Sequence, residues 1–438
     1  MANTYNYFRN AFLKISSLIQ KNSIFVFLIA AILVVIPLKH IYGSIATILF
    51  IAVALVTFKK SNFFISKEYL LPILLYFLMI LSLFWTRDFT LSKNGLQKEL
   101  PFLFIPFAFI IIPKLTKEFV YKIIAIYSYS MVLYALYYFI NAIIRYFKTK
   151  NSTVFFYHEL VTLDLNAIYV SVFVSFAMFY FINKNSKLIL DKIALSILIL
   201  LIFLLSSKSV ITIDFILIIC YYSLFSNIPN TVKTTTIIAV SLFLILSLFF
   251  VKEVKDRFLL EYETAFVDNT VNNKIGDDNA KVYNVSLKQA WCEEKFQGNH
   301  FFPGTALRVY QIRIFREMIL EESIFFTGFG LEAAQDKIRE KANKNTLYPG
   351  YGEYNFHNQY IQTFSELGFF GFLLLILMLG YNIKNAWRSK DFLHIAFAVT
   401  MIILFLTESF FCRQRGVIFF ITNYCMFNSI YAVKKTKN

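Results

Sequence analysis

Apolar runs long enough to enter a bilayer recur along nearly the whole of this 438-residue chain. No other feature restricts its fold so strongly, because runs of this length read as membrane-crossing helices. Twelve stand out: residues 23–38, 41–58, 69–85, 100–112, 119–147, 168–182, 188–205, 210–225, 235–251, 359–383, 392–411 and 417–433. Several are shorter than the ~20 residues a crossing helix needs, so their ends must extend into flanking polar residues. Charged residues make up only 16% of the chain, well below the roughly 25% of soluble domains. The expectation is an all-α, polytopic membrane bundle of about twelve transmembrane helices with one large external loop. It forms one integrated unit: nine spans in 1–251, the loop in 252–357 and three spans in 358–438.

Lysines and arginines set the orientation. With the N-terminus in the cytoplasm, the inside loops hold Lys14 and Lys21; Lys59, Lys60 and Lys67; Lys114 and Lys117; Lys184 and Lys187; Lys233; Lys384, Arg388 and Lys390; and Lys434, Lys435 and Lys437. The long segment 252–356 then falls outside, with 14 basic and 16 acidic residues. The net charge of +16 is therefore mainly a topology signal. Nucleic acid is not an expected partner, since the basic residues are scattered over short loops rather than gathered on one domain. The basic N-terminus followed by an apolar run resembles a signal peptide, but no small-residue cleavage site follows Leu38, so a retained first span is expected.

The loop divides in two. Its first half, 252–302, lacks clear periodicity and reads as irregular with short helices. The second half is more regular. Residues 307–322 place Ile312, Phe315 and Ile319 on one helical face. Gly328 and Gly330 break the chain, 331–344 reads as a second amphipathic helix, and the turn-rich 348–356 leads into His357. No second, soluble domain is expected.

His357 would stand at the outer interface, where an imidazole takes or gives a proton near neutral pH; alternatively it only hydrogen-bonds the backbone. Arg308, Arg313 and Arg316 share the first loop helix. A guanidinium suits pyrophosphate because its planar fork donates paired hydrogen bonds and stays charged; the alternative is a solvated face balanced by Glu317, Glu321 and Glu322. Lys208 lies in an almost loopless turn between two apolar runs. There it either faces a cavity or partner or snorkels to the headgroups. Asp214, six residues on, either pairs with a folded-back Lys208, faces a pore or bonds a neighbouring helix. His158, Glu159 and Asp164, and more weakly Arg87 and Lys93, are further interfacial ionisable groups. Glu408 is expected to pair with Arg413 or Arg415. Gly368 and Gly371 read as small residues for close helix packing.

Cys292 and Cys412 both fall outside and either pair or stay free; Cys220 and Cys425 lie within spans. No CxxC, HExxH, P-loop or dinucleotide fingerprint occurs. With no DxD on an external loop, no metal or other cofactor is expected, and cations of the chain itself would have to stabilise a pyrophosphate leaving group.

In its C-terminal half the chain resembles the O-antigen ligase and polymerase family of bacterial envelope glycosyltransferases. The resemblance rests on an arginine-bearing helix (Arg308), Gly328-x-Gly330, His357-Asn358, and Glu366-x-Gly368-x-x-Gly371. It extends to the Ser-Ser-Lys208-Ser turn, where the family often carries arginine. It implies transfer of a glycan from undecaprenyl pyrophosphate to an acceptor hydroxyl on the periplasmic side of the bacterial inner membrane. O-antigen ligation to lipid A-core leads the alternatives. Repeat polymerisation follows, then protein O-oligosaccharyl transfer; a lipid-linked sugar transporter is a reading from another class. His357 would be the base, and Arg308, Arg313, Lys208 and Asn358 would bind substrate.

Overall fold

The computed structural model describes residues 23–163, 165–235, 237, 238, 242, 252–272, 275 and 281–435. Lys14, Lys21, Asp164, Lys437 and nearly all of the ninth expected span lie outside these residues.

The described chain is mostly helical. Before the loop come α1 Ser23–Val34, α2 His40–Val56, α3 Lys67–Leu81, α4 Phe89–Glu99, α5 Pro101–Ile111, α6 Lys117–Thr149, α7 Tyr157–Leu160, α8 Ala167–Asn183, α9 Ile189–Leu205 and α10 Lys208–Cys220. The loop contributes α11 Lys252–Ala265, α12 Leu287–Cys292, α13 Gly304–Glu321 and α14 Ala334–Lys344. Then follow α15 Gln359–Ser389, α16 Phe392–Leu404 and α17 Gln414–Lys435. Among the described residues, helices thus stand at eleven of the twelve expected positions, and the twelfth, 235–251, lies almost wholly outside them. By length and composition four helical segments qualify as membrane crossings: Lys67–Phe84, Lys117–Thr149, Lys208–Phe225 and Gln359–Ser389. Shorter apolar helices, α1, α2, α8 and α16, pack among them.

Side-chain caps set several helix starts. Thr116, Asn166, Asn358 and Asp391 each accept a backbone N–H from the first turn that follows, which satisfies donors the helix itself cannot use. Inside the bundle, aromatic rings of α8, α16 and α17 interlock, with Phe173 and Phe419 centroids 4.9 Å apart. Outside it, Phe27, Ile48, Leu133, Ile140 and Leu190 stand exposed; apolar surface on this scale marks contact with lipid or a partner.

The loop corrects one expectation. It is folded around a hydrophobic core of its own, including Phe296, Phe302, Tyr310, Ile314, Phe329 and Phe356. A small sheet joins its first half, with β1 Thr270–Val271 antiparallel to β2 Tyr283–Asn284 and β2 parallel to β3 His300–Phe301. These contacts come from turns, which leave no hydrophobic period in the sequence.

The glycines correct another. Gly368 is not a helix-packing residue: its φ of 64° and ψ of −161° interrupt α15, in a region only glycine occupies readily. Gly328 has φ 67°. The two stretches pair strand-like, with Phe329 N donating to Ser365 O at 2.8 Å, Gly330 N to Glu366 O at 2.9 Å and Phe369 N to Phe325 O at 2.7 Å. A Cβ on Gly328 would fall on the Glu366 carbonyl, and one on Gly368 on the Phe326 carbonyl. The two glycine motifs are therefore halves of one joint between loop and bundle.

Candidate active site at the junction of loop and bundle

Arg308 lies in the second turn of α13. Its Nε donates to Thr407 O at 3.0 Å, Nη1 to Gly304 O at 3.0 Å and Nη2 to Glu408 Oε1 at 2.8 Å. The guanidinium has further N–H groups beyond these three. Glu408 is almost buried, and its Oε2 lies 3.6 Å from His357 Nδ1. That is too long for a hydrogen bond. Nδ1 is buried without a hydrogen-bond partner, whereas the His357 side chain keeps 26% exposure. The open part of the ring is therefore away from Nδ1. The backbone at His357 is left-handed, φ 46°, held by its N–H donating to Asn355 Oδ1 at 2.9 Å.

Lys208 follows Ser206, whose φ of 49° closes the turn between α9 and α10. Lys208 Nζ is 3.0 Å from Glu261 Oε1, and Glu261 Oε2 accepts from Thr305 N at 3.0 Å. Burial pushes the Glu261 carboxyl up, but Lys208 and Thr305 outweigh it and hold it below the ordinary glutamate range. Gly304 lets these groups meet: a Cβ there would come to 3.0 Å from Glu261 Oε1 and 3.2 Å from Arg308 Nη1. Two ion pairs, Lys208–Glu261 and Arg308–Glu408, thus stand on either side of Gly304, with His357 beside the second; α10, α11, α13 and the segments flanking α15 and α16 contribute them.

Three of the expected site residues, Lys208, Arg308 and His357, are thus brought together. Arg313 is not. Five helical positions turn through about 140°, so it points away from Arg308. Its Nε pairs with Glu317 Oε1 at 2.8 Å and its Nη1 bonds the Glu293 carbonyl. Glu317 also receives Lys341 Nζ at 2.9 Å. Burial raises the Glu317 carboxyl, yet Lys341 and Arg313 together keep it below its usual range. This is a brace between loop helices. Asn358 is also occupied. Its Oδ1 caps α15 at Ile361 N, 3.1 Å, and its Nδ2 donates to Leu406 O, 3.1 Å. With Asn358 N donating to Ser409 Oγ at 3.1 Å, it fixes the 406–409 segment and so places Glu408 beside His357.

One further expectation changes. Glu408 pairs with Arg308, not with Arg413 or Arg415; Arg413 is exposed and Arg415 buried. Asp214 accepts from Ser175 Oγ at 2.5 Å on the neighbouring α8, not from Lys208. Glu159 pairs with Arg145 at 3.7 Å, and His158 Nδ1 accepts from Ala167 N at 3.5 Å. Arg87 bonds Glu322. All four cysteines are free thiols. Glu261 was missed, because it sits in a stretch without pattern, and no sequence signal marks it.

A second charged cluster lies at the glycine joint. Lys98 Nζ bonds the Glu332 carboxylate and lies 3.7 Å from Glu99 Oε1 and 3.3 Å from Cys412 O. Glu366 Oε1 accepts from Gln362 Nε2 at 2.6 Å. Glu99 Oε2 has no hydrogen-bond partner. Burial pushes the Glu99 carboxyl up to about 8; Lys98 opposes this, and Glu332 and Glu366 add to it. Among the described residues no group of three or more His, Cys, Asp or Glu is arranged to hold a metal.

No protein-family model matches the chain, and no curated protein matches it.

Proposed function

We propose that this chain is a multi-pass glycosyltransferase of a bacterial inner membrane. It moves a glycan from undecaprenyl pyrophosphate to an acceptor hydroxyl, and the reaction is ligation of O-antigen, or a related glycan, to lipid A-core. The observation that carries this reading is the contact of His357 with Glu408 and of Glu408 with Arg308, with the Lys208–Glu261 pair across Gly304. An imidazole oriented by a carboxylate, next to two cations, suits proton removal from a hydroxyl beside an anionic leaving group.

Glu408 beside Nδ1 favours the tautomer protonated there, which leaves Nε2 to accept a proton. The acceptor oxygen bonds to the anomeric carbon as the bond from that carbon to the pyrophosphate oxygen breaks. The hydroxyl proton passes to Nε2. The electron pair leaves with the polyprenyl pyrophosphate, whose growing charge is met by the free N–H groups of Arg308 and by Lys208. Direct displacement inverts the anomeric centre and needs no nucleophilic carboxylate.

In this reading the eleven apolar helices and the 235–251 segment make twelve crossings, both termini are cytoplasmic and the folded loop covers the periplasmic mouth. The basic residues of the short loops and the exposed apolar faces support it. A reporter fused near Asn299 should signal from the periplasm; a cytoplasmic signal would remove both topology and function. The glycan profile of a deletion strain identifies the acceptor. Loss of capped lipid A supports ligation, loss of chain length means a polymerase, and loss of glycoprotein means protein glycosylation.

A further inference from the structure

At the end of the bundle opposite His357, a cavity of about 440 Å³ opens among helix ends. The separation follows from α15, which begins next to His357 and ends at this cavity; beyond its interruption at Gly368 the helix alone rises roughly 30 Å. Three lysines reach it: Lys117 from the first turn of α6, Lys184 after α8 and Lys390 between α15 and α16. Lys390 ends α15 with φ 50°, and Asp391 caps α16 by accepting from Leu393 N at 3.1 Å, so the connection is a tight turn with both side chains at the cavity.

The cavity is built rather than incidental. Asp391, 4% exposed, holds Lys117 Nζ at 3.1 Å and accepts from Tyr121 Oη at 3.1 Å. Asn183 Nδ2 donates to the same Tyr121 oxygen at 3.4 Å. Lys184 is held by Asp191 at 2.7 Å. Lys390 is exposed, and among the described residues it makes no ion pair. Three ammonium groups therefore face two carboxylates, leaving one positive charge uncompensated. The N-termini of α6 and α16 both point here, and their dipoles add to the attraction for an anion. Phe225 and Phe392 supply apolar wall beside the charged groups, as a headgroup with attached chains requires.

We propose that this cavity binds the phosphate of an anionic lipid headgroup, with Lys390 as its main charged contact and Lys117 and Lys184 beside it. Basic pockets between helix ends on the cytoplasmic side of a membrane suit such headgroups. The site does not depend on which reaction His357 serves; it requires only that the helices lie in a bilayer. Free phosphate carries the same chemistry, so the test separates the two sources.

The full-length protein is taken into mixed micelles with phosphatidylglycerol or phosphatidylcholine, and retained lipid is counted by native mass spectrometry. Phosphatidylglycerol should be retained in preference, by roughly tenfold for one added charged contact. Lys390→Glu should abolish the preference, and Lys390→Arg should keep it. Neither variant should shift the melting temperature, since Lys390 makes no ion pair among the described residues. Equal retention of the two lipids, or a Lys390→Glu protein that still selects phosphatidylglycerol, would overturn the proposal. So would inorganic phosphate at millimolar concentration protecting the site while phosphatidylglycerol shows no preference, because the ligand would then be a free anion.

Discussion

Two charged clusters join the loop to the bundle, and they are built on opposite plans. In the His357 site each cation has its own carboxylate, Lys208 with Glu261 and Arg308 with Glu408. Its working side chains stay within reach of solvent: His357 is 26%, Arg308 29% and Lys208 30% exposed. In the Lys98 cluster three carboxylates share one lysine, and Glu99 and Glu366 are 3% and 8% exposed. A balanced, reachable site can exchange a partner for a ligand without leaving a bare charge in the interior. The acidic cluster cannot, because among the described residues Lys98 is its one cation and Glu332 would lose its partner. The first is suited to chemistry and the second to holding the glycine joint shut.

The largest effect that can break this contrast is on turnover. Replacing His357 by Ala should lower transfer by roughly 100- to 10,000-fold, the usual contribution of a general base, with little change in melting temperature. Near-normal transfer by the folded variant would remove the distinction between the clusters. Next in size is Lys98→Ala. It should lower the melting temperature in detergent, because Glu332 loses its ammonium partner. A variant that melts normally yet transfers poorly would mean the chemistry had been assigned to the wrong cluster.

A smaller effect sharpens the outer site. Lys208→Ala should cost about tenfold in transfer, the size of one charge-assisted hydrogen bond. Lys208→Arg should retain most activity, because charge and reach to Glu261 persist. Kinetics on the two variants check this, and equal losses would mean that the shape of the lysine matters rather than its charge.

The smallest effect is a pair of opposite pH dependences. Glu261 is held below its ordinary value, so its contribution to stability is present above the unfolded value near 4.5 and is lost as pH falls through the lower folded value. Glu99 is raised to about 8. Its folded form keeps a proton that the unfolded chain has released, so stability declines as pH rises from the unfolded value to about 8. Glu261→Gln should flatten the acid side of a melting profile, and Glu99→Gln the alkaline side. The same flattening from both would show that the clusters are not electrostatically distinct.

Much of the bundle was legible in the sequence, because a long apolar helix writes itself as a continuous apolar run. Eleven helices stand where such runs predict them. The loop was legible only in its second half, where α13 and α14 have a helical period. Its first half folds through turns and a sheet of two-residue strands, which have none. Within the site, His357 and Lys208 could be singled out as charges near the ends of apolar runs, and Arg308 as a guanidinium on a loop helix. Their acids could not be assigned. Glu408 meets Arg308 across a separation of 100 residues, and its nearer arginines looked like better partners. Gly328 and Gly368 read as a loop breaker and a packing residue, because a backbone-to-backbone joint has no side-chain signature.

The central claim is most directly tested by incubating purified protein in detergent with a polyprenyl-pyrophosphate-linked glycan and a hydroxyl-bearing acceptor, and measuring released polyprenyl pyrophosphate. The account predicts release that depends on the acceptor, that is lost in His357→Ala and that is strongly reduced in Glu408→Gln. Release that is unaffected by both substitutions, or no release from a folded wild-type protein given either lipid A-core or a lipid-linked glycan as acceptor, would contradict it.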